Sequence, residues 1–291
     1  MGTIFEELIR KFNEANNEEA GEHYTPRDVV ELMADLVFMP VKDQIKDATY
    51  SCYDGACGTG GMLTVAQDRL LELAEETGKQ VSIHLFGQEL QPETYAICKA
   101  DMLLKGDGKQ AEHISYGSTL SMDGNASRQF DFMLSNPPYG KTWKVDAEKM
   151  GGKKDILDIR FNAYLEDGTQ LSMIPRVNDG QLLFMLNNVA KMKTDTPLGS
   201  RIAEVHNGSS LFTGDAGSGE SNARRYLIEN DLVEAVIALP EKMFYNTGIG
   251  TYIWVLNNKK EERRKGKIQL IDATSLKSPL RKNCLLYTSP S

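Results

Sequence analysis

The chain has 291 residues, of which 41% are hydrophobic and 25% are charged, and its formal net charge is -8. This composition is typical of a globular protein with a sizeable core, in one large domain or two ordinary ones. The negative charge disfavours a protein that coats nucleic acid or an anionic membrane by itself, since such binding needs a surplus of Lys and Arg. A nucleic-acid substrate would therefore need a local basic patch or a partner that supplies the charge.

The cysteines and histidines predict neither a metal site nor a disulfide framework. The four cysteines include no Cys-x-x-Cys pair, and the four histidines are scattered, so we expect a protein of the reducing cytoplasm. No run approaches the roughly 18 apolar residues of a membrane span. The N-terminus also lacks the basic and then apolar order of a signal peptide, so no membrane partner is expected.

Two helices are predicted at the start of the chain. Apolar residues at helical spacing predict an amphipathic helix within residues 3–15. A second helix begins within residues 21–28, with Thr25 as its N-cap and Pro26 at its first position. Such a helix start presents backbone N–H groups to an acidic ligand group, although capping alone also explains the Thr-Pro pair.

A strand, a glycine turn and a helix come next, and together they open a doubly wound nucleotide-binding sheet. The strand covers residues 49–53, and the turn over residues 54–61 reads Asp-Gly-Ala-Cys-Gly-Thr-Gly-Gly. Glycines let a ligand touch the backbone, so this turn is predicted to cradle a ligand. It lacks the Lys of a P-loop and the third Gly of a dinucleotide fingerprint. Asp54 at the strand end favours a ligand that carries positive charge and no phosphate.

The alternation continues through strands at residues 83–87, 113–116 and 130–134. Glu89 follows the second strand, where an acid can accept both hydroxyls of a ribose; the alternative is a solvated loop acid. The fourth strand leads into Asn136-Pro137-Pro138-Tyr139. Because proline has no N–H group, the strand must end there, and its carbonyl groups are left free.

Residues 141–175 lack periodicity and carry six basic residues. They are predicted to form either a basic loop that closes over a polyanion or a merely solvated loop. Strands at residues 201–205, 232–239 and 251–256 complete a count of seven. We therefore predict an α/β fold with a doubly wound, seven-stranded, mostly parallel sheet. In such a sheet the first and fourth strands are neighbours, so their two loops open into one crevice.

The ordered motifs resemble the S-adenosylmethionine-dependent N6-adenine DNA methyltransferases, in particular the modification (M) subunit of type I restriction-modification systems. The resemblance covers about residues 21–257 and includes the stretches 179–184 and 239–248. It implies a Rossmann-like fold with an antiparallel last strand. It also implies site-specific transfer of a methyl group from S-adenosylmethionine to adenine N6 in duplex DNA.

The resemblance also assigns roles to residues. Asn136 and Pro137 would accept the two N6 hydrogens and so localise the nitrogen lone pair, while Tyr139 would stack on a flipped adenine. Ser118 stands where many relatives carry an acidic or amide residue near the cofactor's adenine, which leaves that contact open. The implied catalytic residues are Asn136, Pro137, Pro138 and Tyr139. The implied cofactor-binding residues are His23, Tyr24, Thr25, Pro26, Asp54, Gly55, Gly58, Thr59, Gly60, Gly61, Glu89, Ser118 and Asn136, and no metal is expected.

The implied partners are double-stranded DNA, a separate specificity (S) subunit, a second M subunit and a restriction (R) subunit. We expect residues 1–20 to be an N-terminal helix left from a larger helical domain or linker, which would make the chain a fragment. Residues 21–275 would form the methyltransferase domain, and residues 276–291 a truncated or artefactual tail. Two alternatives stay open: a glutamine methyltransferase of release factors, and an inactive cofactor-binding fragment. The Tyr-Thr-Pro motif and the basic segment favour DNA.

Overall fold

One eight-stranded sheet organises the described part of the chain. The computed structural model describes residues 25–105, 108–165, 167–244, 248–279 and 286–287. The helix predicted within residues 3–15 lies outside this part. None of the described helices is long and apolar enough to cross a membrane.

The elements alternate between strand and helix along most of the chain. The strands are β1 (Ala48–Asp54), β2 (Val81–Glu89), β3 (Ile114–Tyr116), β4 (Phe132–Ser135), β5 (Asn162–Tyr164), β6 (Gln170–Ser172), β7 (Arg201–Asn207), β8 (Val233–Ala238), β9 (Thr251–Asn257), β10 (Gln269–Asp272), β11 (Ser278–Pro279) and β12 (Leu286–Tyr287). The helices are α1 (Arg27–Phe38), α2 (Gly61–Glu76), α3 (Pro92–Lys105), α4 (Lys109–Glu112), α5 (Lys144–Lys149), α6 (Gln181–Ala190), α7 (Ser209–Phe212) and α8 (Gly219–Glu229), with 3-10 turns at Met39–Val41 and Glu262–Arg264.

The strand order in the main sheet is β10-β8-β9-β7-β4-β1-β2-β3. Strand β9 pairs antiparallel with both β7 and β8, and the other pairings are parallel. All seven predicted strands are present and β9 is antiparallel, which confirms the predicted class. The sheet also has an eighth strand, β10, in a region where the sequence shows a charged run and then no alternation. Its residues are mostly exposed at the sheet edge, so no buried face imposes a period-two pattern on the sequence.

Apolar side chains cover both faces of the sheet. Cys52 and Phe132 belong to the core under α1 and α2, whereas Tyr53 and Met133 belong to the core under α6 and α8. Because both faces are buried, β4 carries a continuous apolar run over residues 132–134, as is typical of parallel sheets between helix layers.

The segment over residues 141–175 is folded, contrary to the prediction of a loop without structure. It contains α5 and the antiparallel pair β5–β6, and it buries Trp143 and Phe161. Arg160 anchors it: Nη1 donates to the Thr119 carbonyl oxygen at 2.8 Å, and Nη2 donates to Asp158 Oδ2 at 2.6 Å. Arg160 is therefore committed to internal contacts and is not available to a polyanion. The lysines of the segment other than Lys141 are exposed: Lys144, Lys149, Lys153 and Lys154.

Arg201 connects two strands of the sheet and one helix, and its side chain is only 3% exposed. Its Nη1 and Nη2 donate to the two carboxylate oxygens of Glu234 on β8, at 2.9 and 3.0 Å. Nη2 also donates to the Leu36 carbonyl oxygen at the end of α1, at 3.0 Å. This fork crosses over β9, so it fixes β7 relative to β8 and to the first helix.

We expect Glu234→Ala to lower the free energy of unfolding by about 3 kcal/mol, because it leaves a buried guanidinium without a counter-charge. Urea unfolding measures this change. The matched control is Glu229→Ala, which removes an exposed pair with Arg225 and should cost less than about 0.5 kcal/mol. Equal losses in the two variants would show that the buried pair does not stabilise the sheet.

Candidate active site

The two motifs singled out in the sequence meet at one edge of the sheet. Strands β1 and β4 are hydrogen-bonded neighbours and run parallel, with Tyr53 opposite Met133. Their carboxyl ends therefore open on the same side, as predicted for the point where the strand order reverses. A cleft of about 270 Å³ lies there. Its lining includes Gly55, Ala56, Glu89, Leu90, Gln91, Ser118, Thr119, Asn136, Pro138, Lys141, Thr142, Trp143, Asp146 and Phe184.

Asp54 lies beneath the glycine turn and is 2% exposed. Its Oδ1 accepts the Ala56 N–H at 3.0 Å and the Ser135 hydroxyl at 2.8 Å. Burial raises the pKa of this carboxyl to about 7, and the two hydrogen bonds oppose that rise. A nearby cationic group would favour the ionised form of Asp54, whereas a phosphate would be repelled by it.

The glycine turn keeps its backbone open where side chains would collide with neighbours. A Cβ on Gly55 would lie 3.1 Å from the Tyr53 hydroxyl oxygen and 3.2 Å from Thr119 Cγ2. Gly60 has a φ of 83°, and a Cβ there would lie 2.8 Å from Cys98 Sγ. Gly55 lines the cleft, whereas Gly60 closes the turn against α3. The predicted residues Gly58, Thr59 and Gly61 belong to the same turn but do not line the cleft.

Glu89 joins two loops and lines the cleft while only 8% exposed. Its Oε2 accepts the Gly58 N–H at 2.9 Å, and its Oε1 accepts the Gln91 N–H at 2.8 Å. The alternative of a solvated loop acid is therefore wrong. Each carboxylate oxygen has a further lone pair that can accept a hydrogen bond from a hydroxyl group.

Among the described residues, the side-chain amide of Asn136 has a hydrogen bond at its nitrogen and none at its oxygen. Its Nδ2 donates to Thr25 Oγ1 at 3.0 Å, while its Oδ1 is buried and has no hydrogen-bond partner among the described residues. Thr25 is therefore not the N-cap that the sequence suggests. Pro26 is in the N-cap position of α1, without a side-chain cap, and the Thr25 hydroxyl is used across the fold instead.

The rest of the proline turn surrounds this amide. Pro138 lines the cleft, and Pro137 is buried. The hydroxyl of Tyr139 is buried without a partner among the described residues, and burial raises the pKa of that phenol. The Gly140 N–H donates to Asp179 Oδ1 at 3.2 Å, which fixes the far end of the turn.

The structure adds residues to the cleft that the sequence analysis did not assign. Trp143 and Asp146 come from the segment after the proline turn, and Phe184 comes from α6. The stretch 179–184 is typical of the family, which is a usable signal for Phe184. The segment around Asp146 has no periodicity, so nothing in the sequence placed that carboxylate near the cleft. Two residues assigned through the resemblance, His23 and Tyr24, lie outside the described residues.

The arrangement suits a ligand that is cationic at one end and carries vicinal hydroxyl groups. In the described ranges, no cluster of three or more His, Cys, Asp or Glu side chains could hold a metal ion. The acids that line the cleft are Glu89 and Asp146, whereas Asp54 is buried and is not among the lining residues.

Comparisons with known proteins find similar sequences over most of the chain. A sequence model described as N-6 DNA methylase matches residues 1–286. The chain is 28% identical over 278 residues to the methylase subunit of the type I restriction enzyme MjaIX of Methanocaldococcus jannaschii, covering 95% of this chain and 44% of that protein. It is 29% identical to the MpnII methylase subunit of Mycoplasma pneumoniae, covering 94% and 47%. The chain thus spans slightly less than half the length of these relatives.

A solved structure shows the same similarity. The type I restriction-modification system methyltransferase subunit from Streptococcus thermophilus superposes with a TM-score of 0.72 at 26% sequence identity. The match covers 97% of this chain and 53% of that one.

We expect Gly60→Ala to destabilise the protein by about 3 kcal/mol, through a left-handed backbone and a clash with Cys98. Gly78 is the matched control, because it has a φ of 66° but nothing within 4 Å of an added Cβ. Gly78→Ala should cost only about 1 kcal/mol. Urea unfolding compares the two, and equal losses would contradict close packing of the turn against α3.

Proposed function

Because the chain belongs to the N-6 DNA methylase family, we propose that it transfers a methyl group from S-adenosylmethionine to adenine N6 in duplex DNA, as the M subunit of a type I restriction-modification complex. The observation that carries this proposal is the Asn136 amide, whose Oδ1 is buried without a partner at the edge of the cleft. An unpaired buried acceptor costs about 1–3 kcal/mol. A target amine that donates to it would remove this cost.

The residues of the turn supply what an adenine amine needs for attack. Its lone pair is delocalised into the purine ring, so it is a poor nucleophile. Asn136 Oδ1 and the Pro137 carbonyl oxygen would each accept one N6 hydrogen and draw the nitrogen towards tetrahedral geometry. No base is needed before the attack. The ring of Tyr139 would stack on a base flipped out of the duplex.

The cleft has the chemistry to hold S-adenosylmethionine, which supplies an electrophilic methyl group when bound. Glu89 would accept the ribose hydroxyls, because each of its oxygens has a lone pair beyond its bond to a loop N–H. Asp54 favours the positively charged end of the cofactor, and Thr25 and Pro26 would help to hold its methionine part. Gly55 keeps its backbone accessible to a ligand, because an added Cβ would lie close to the Tyr53 hydroxyl and to Thr119 Cγ2.

The partners follow from the relatives and from the charge of the chain. With a net charge of -8, the chain needs other subunits to help neutralise DNA phosphates. We propose double-stranded DNA, an S subunit, a second M subunit and an R subunit as partners, in the cytoplasm. The exposed lysines of the segment over residues 141–175 would face the DNA. Residues 21–275 would form the catalytic domain.

Labelled S-adenosylmethionine tests the reaction. The chain is incubated with duplex DNA, with and without a specificity subunit, and the labelled atom is identified. Label on adenine N6 supports the proposal. Label on a protein glutamine would instead support the release-factor alternative, and binding without transfer would support an inactive fragment.

Asn136→Ala should lower the transfer rate by roughly 100-fold or more, the usual cost of losing one positioned transition-state hydrogen bond. Affinity for S-adenosylhomocysteine, measured by calorimetry, should stay within roughly threefold, because this side chain acts on the target amine. Asn230→Ala, at an exposed asparagine at the end of α8, is the matched control and should leave both quantities unchanged. Transfer at the wild-type rate in the Asn136 variant would refute the role of the turn.

Asp54 should make cofactor affinity depend on pH. Its pKa is raised from 3.8 to about 7 by burial, so the protonated form stabilises the free protein below about pH 4, and this stabilisation is lost as the pH rises through 7. A cationic ligand prefers the ionised form. We therefore expect affinity for S-adenosylmethionine, which carries a sulfonium cation, to rise from about pH 5.5 to about 7 and then to level off, by up to roughly tenfold per pH unit.

The Asp54→Asn variant should bind S-adenosylmethionine more weakly and lose this pH dependence. Asp68→Asn, an exposed acid on α2, should keep the wild-type profile. Calorimetric titrations across the pH range measure both variants. An unchanged profile in Asp54→Asn would assign the pH dependence to another group.

A further inference from the structure

The sequence analysis identified no side chain that would accept hydrogen bonds from the amine of the cofactor's adenine. If the cleft holds S-adenosylmethionine, the exocyclic amine of the adenine brings two N–H donors, and donors buried without acceptors lose affinity. Ser118 occupies the position after β3, but its Oγ already accepts the Leu120 N–H at 3.2 Å, and the residue is 7% exposed. A serine hydroxyl in this state is a poor replacement for a carboxylate or an amide oxygen.

Asp146 brings a carboxylate to the same cleft from another part of the chain. It lies on α5, in the folded segment after the proline turn, and lines the cleft together with Ser118 and Glu89. Its Oδ1 accepts the Ser121 hydroxyl at 2.6 Å. Ser121 belongs to the loop that also carries Ser118, so this contact holds the carboxylate against that loop. The other oxygen, Oδ2, accepts no hydrogen bond from the part of the chain that the structure describes.

The remaining side-chain acceptors around the cleft are already engaged or exposed. The Thr119 hydroxyl donates to the Gly55 carbonyl oxygen, and the Thr142 hydroxyl donates to the Val177 carbonyl oxygen. Glu89 is assigned to the ribose hydroxyls, for which each oxygen keeps one lone pair beyond its bond to a loop N–H, and Gln91 is exposed. Asn136 is assigned to the target amine. Asp146 is thus the acid of the cleft lining that has an oxygen without a hydrogen bond among the described residues and no ligand group assigned to it.

We propose that Asp146 binds the exocyclic amine of the cofactor's adenine and so provides the base selectivity that Ser118 does not. This inference rests on the proposed function, because it takes S-adenosylmethionine as the ligand of the cleft. It assigns the folded segment over residues 141–175 a second role: besides presenting lysines to the DNA, the segment contributes a residue that recognises the cofactor. The hydrogen bond from Ser121 orients the carboxylate, which makes Ser121 a positioning residue.

Two ligands that differ at this amine test the proposal. S-adenosylhomocysteine carries the amine, whereas S-inosylhomocysteine has a carbonyl oxygen in its place, and calorimetry gives both affinities for the 291-residue chain. We expect the wild type to prefer the adenine ligand by roughly tenfold or more, the range for a hydrogen bond to a charged group. In Asp146→Ala this preference should fall to within roughly threefold, with the loss on the adenine ligand alone.

Two control variants test whether the preference for the adenine ligand depends on the Asp146 carboxylate itself, on the charge of α5, or on the hydrogen bond from Ser121. Glu148→Ala removes an exposed acid from the same helix and should keep the wild-type preference. Ser121→Ala removes the tether but keeps the acceptor, so it should weaken the preference less than Asp146→Ala does. If Asp146→Ala does not fold, as judged by thermal unfolding, Asp146→Asn decides, because its amide can donate to the inosine carbonyl and should narrow the preference.

The outcomes distinguish this inference from the proposed function. If the folded Asp146 variants keep the wild-type preference for the adenine ligand, Asp146 does not bind the amine. The proposed function is unaffected by that result. Failure of the wild-type chain to bind S-adenosylhomocysteine at all overturns both.

Discussion

The parallel pairing of β4 between β1 and β7 is the constraint on which the site depends. Parallel strands present their carboxyl ends at one edge, so this pairing alone brings the Asp54 turn and the Asn136 turn together across a long stretch of sequence. The two prolines end β4 before its ladder could continue. The polar groups at this edge are therefore left to a ligand, and the apolar cores on both faces of the sheet hold them in place.

Three buried ionisable groups contribute to this arrangement in different ways. Arg201 is compensated by a two-pronged contact with Glu234, which makes it a structural pair. Arg160 uses carboxylates and carbonyl oxygens to fasten the segment after the proline turn to the wall of the cleft. Among the described residues Asp54 accepts hydrogen bonds from neutral donors, and burial raises its pKa to about 7. A buried acid in this state is suited to a cation that arrives with a ligand.

The sequence was sufficient for features that backbone chemistry dictates. The glycine turn after β1, the acid after β2 and the proline turn after β4 each follow from what those residue types can and cannot do. Tertiary contacts were not predictable in the same way. Thr25 has the local signature of an N-cap, yet its hydroxyl meets Asn136 from more than a hundred residues away. Strand β10 escaped prediction because an exposed edge imposes no alternation, and Asp146 because its segment folds onto the site without a periodic pattern.

Thr25 also connects the start of α1 with the proline turn after β4. A threonine hydroxyl can accept one hydrogen bond and donate another. By accepting the Nδ2–H of Asn136, it directs the free oxygen of the amide away from itself, and it keeps its own hydrogen for a second partner. The start of α1 is where an acidic group of a ligand would be held. A ligand bound there would orient the Thr25 hydroxyl and, through it, the Asn136 amide, so that under the proposed function cofactor binding would also position the acceptor of the target amine.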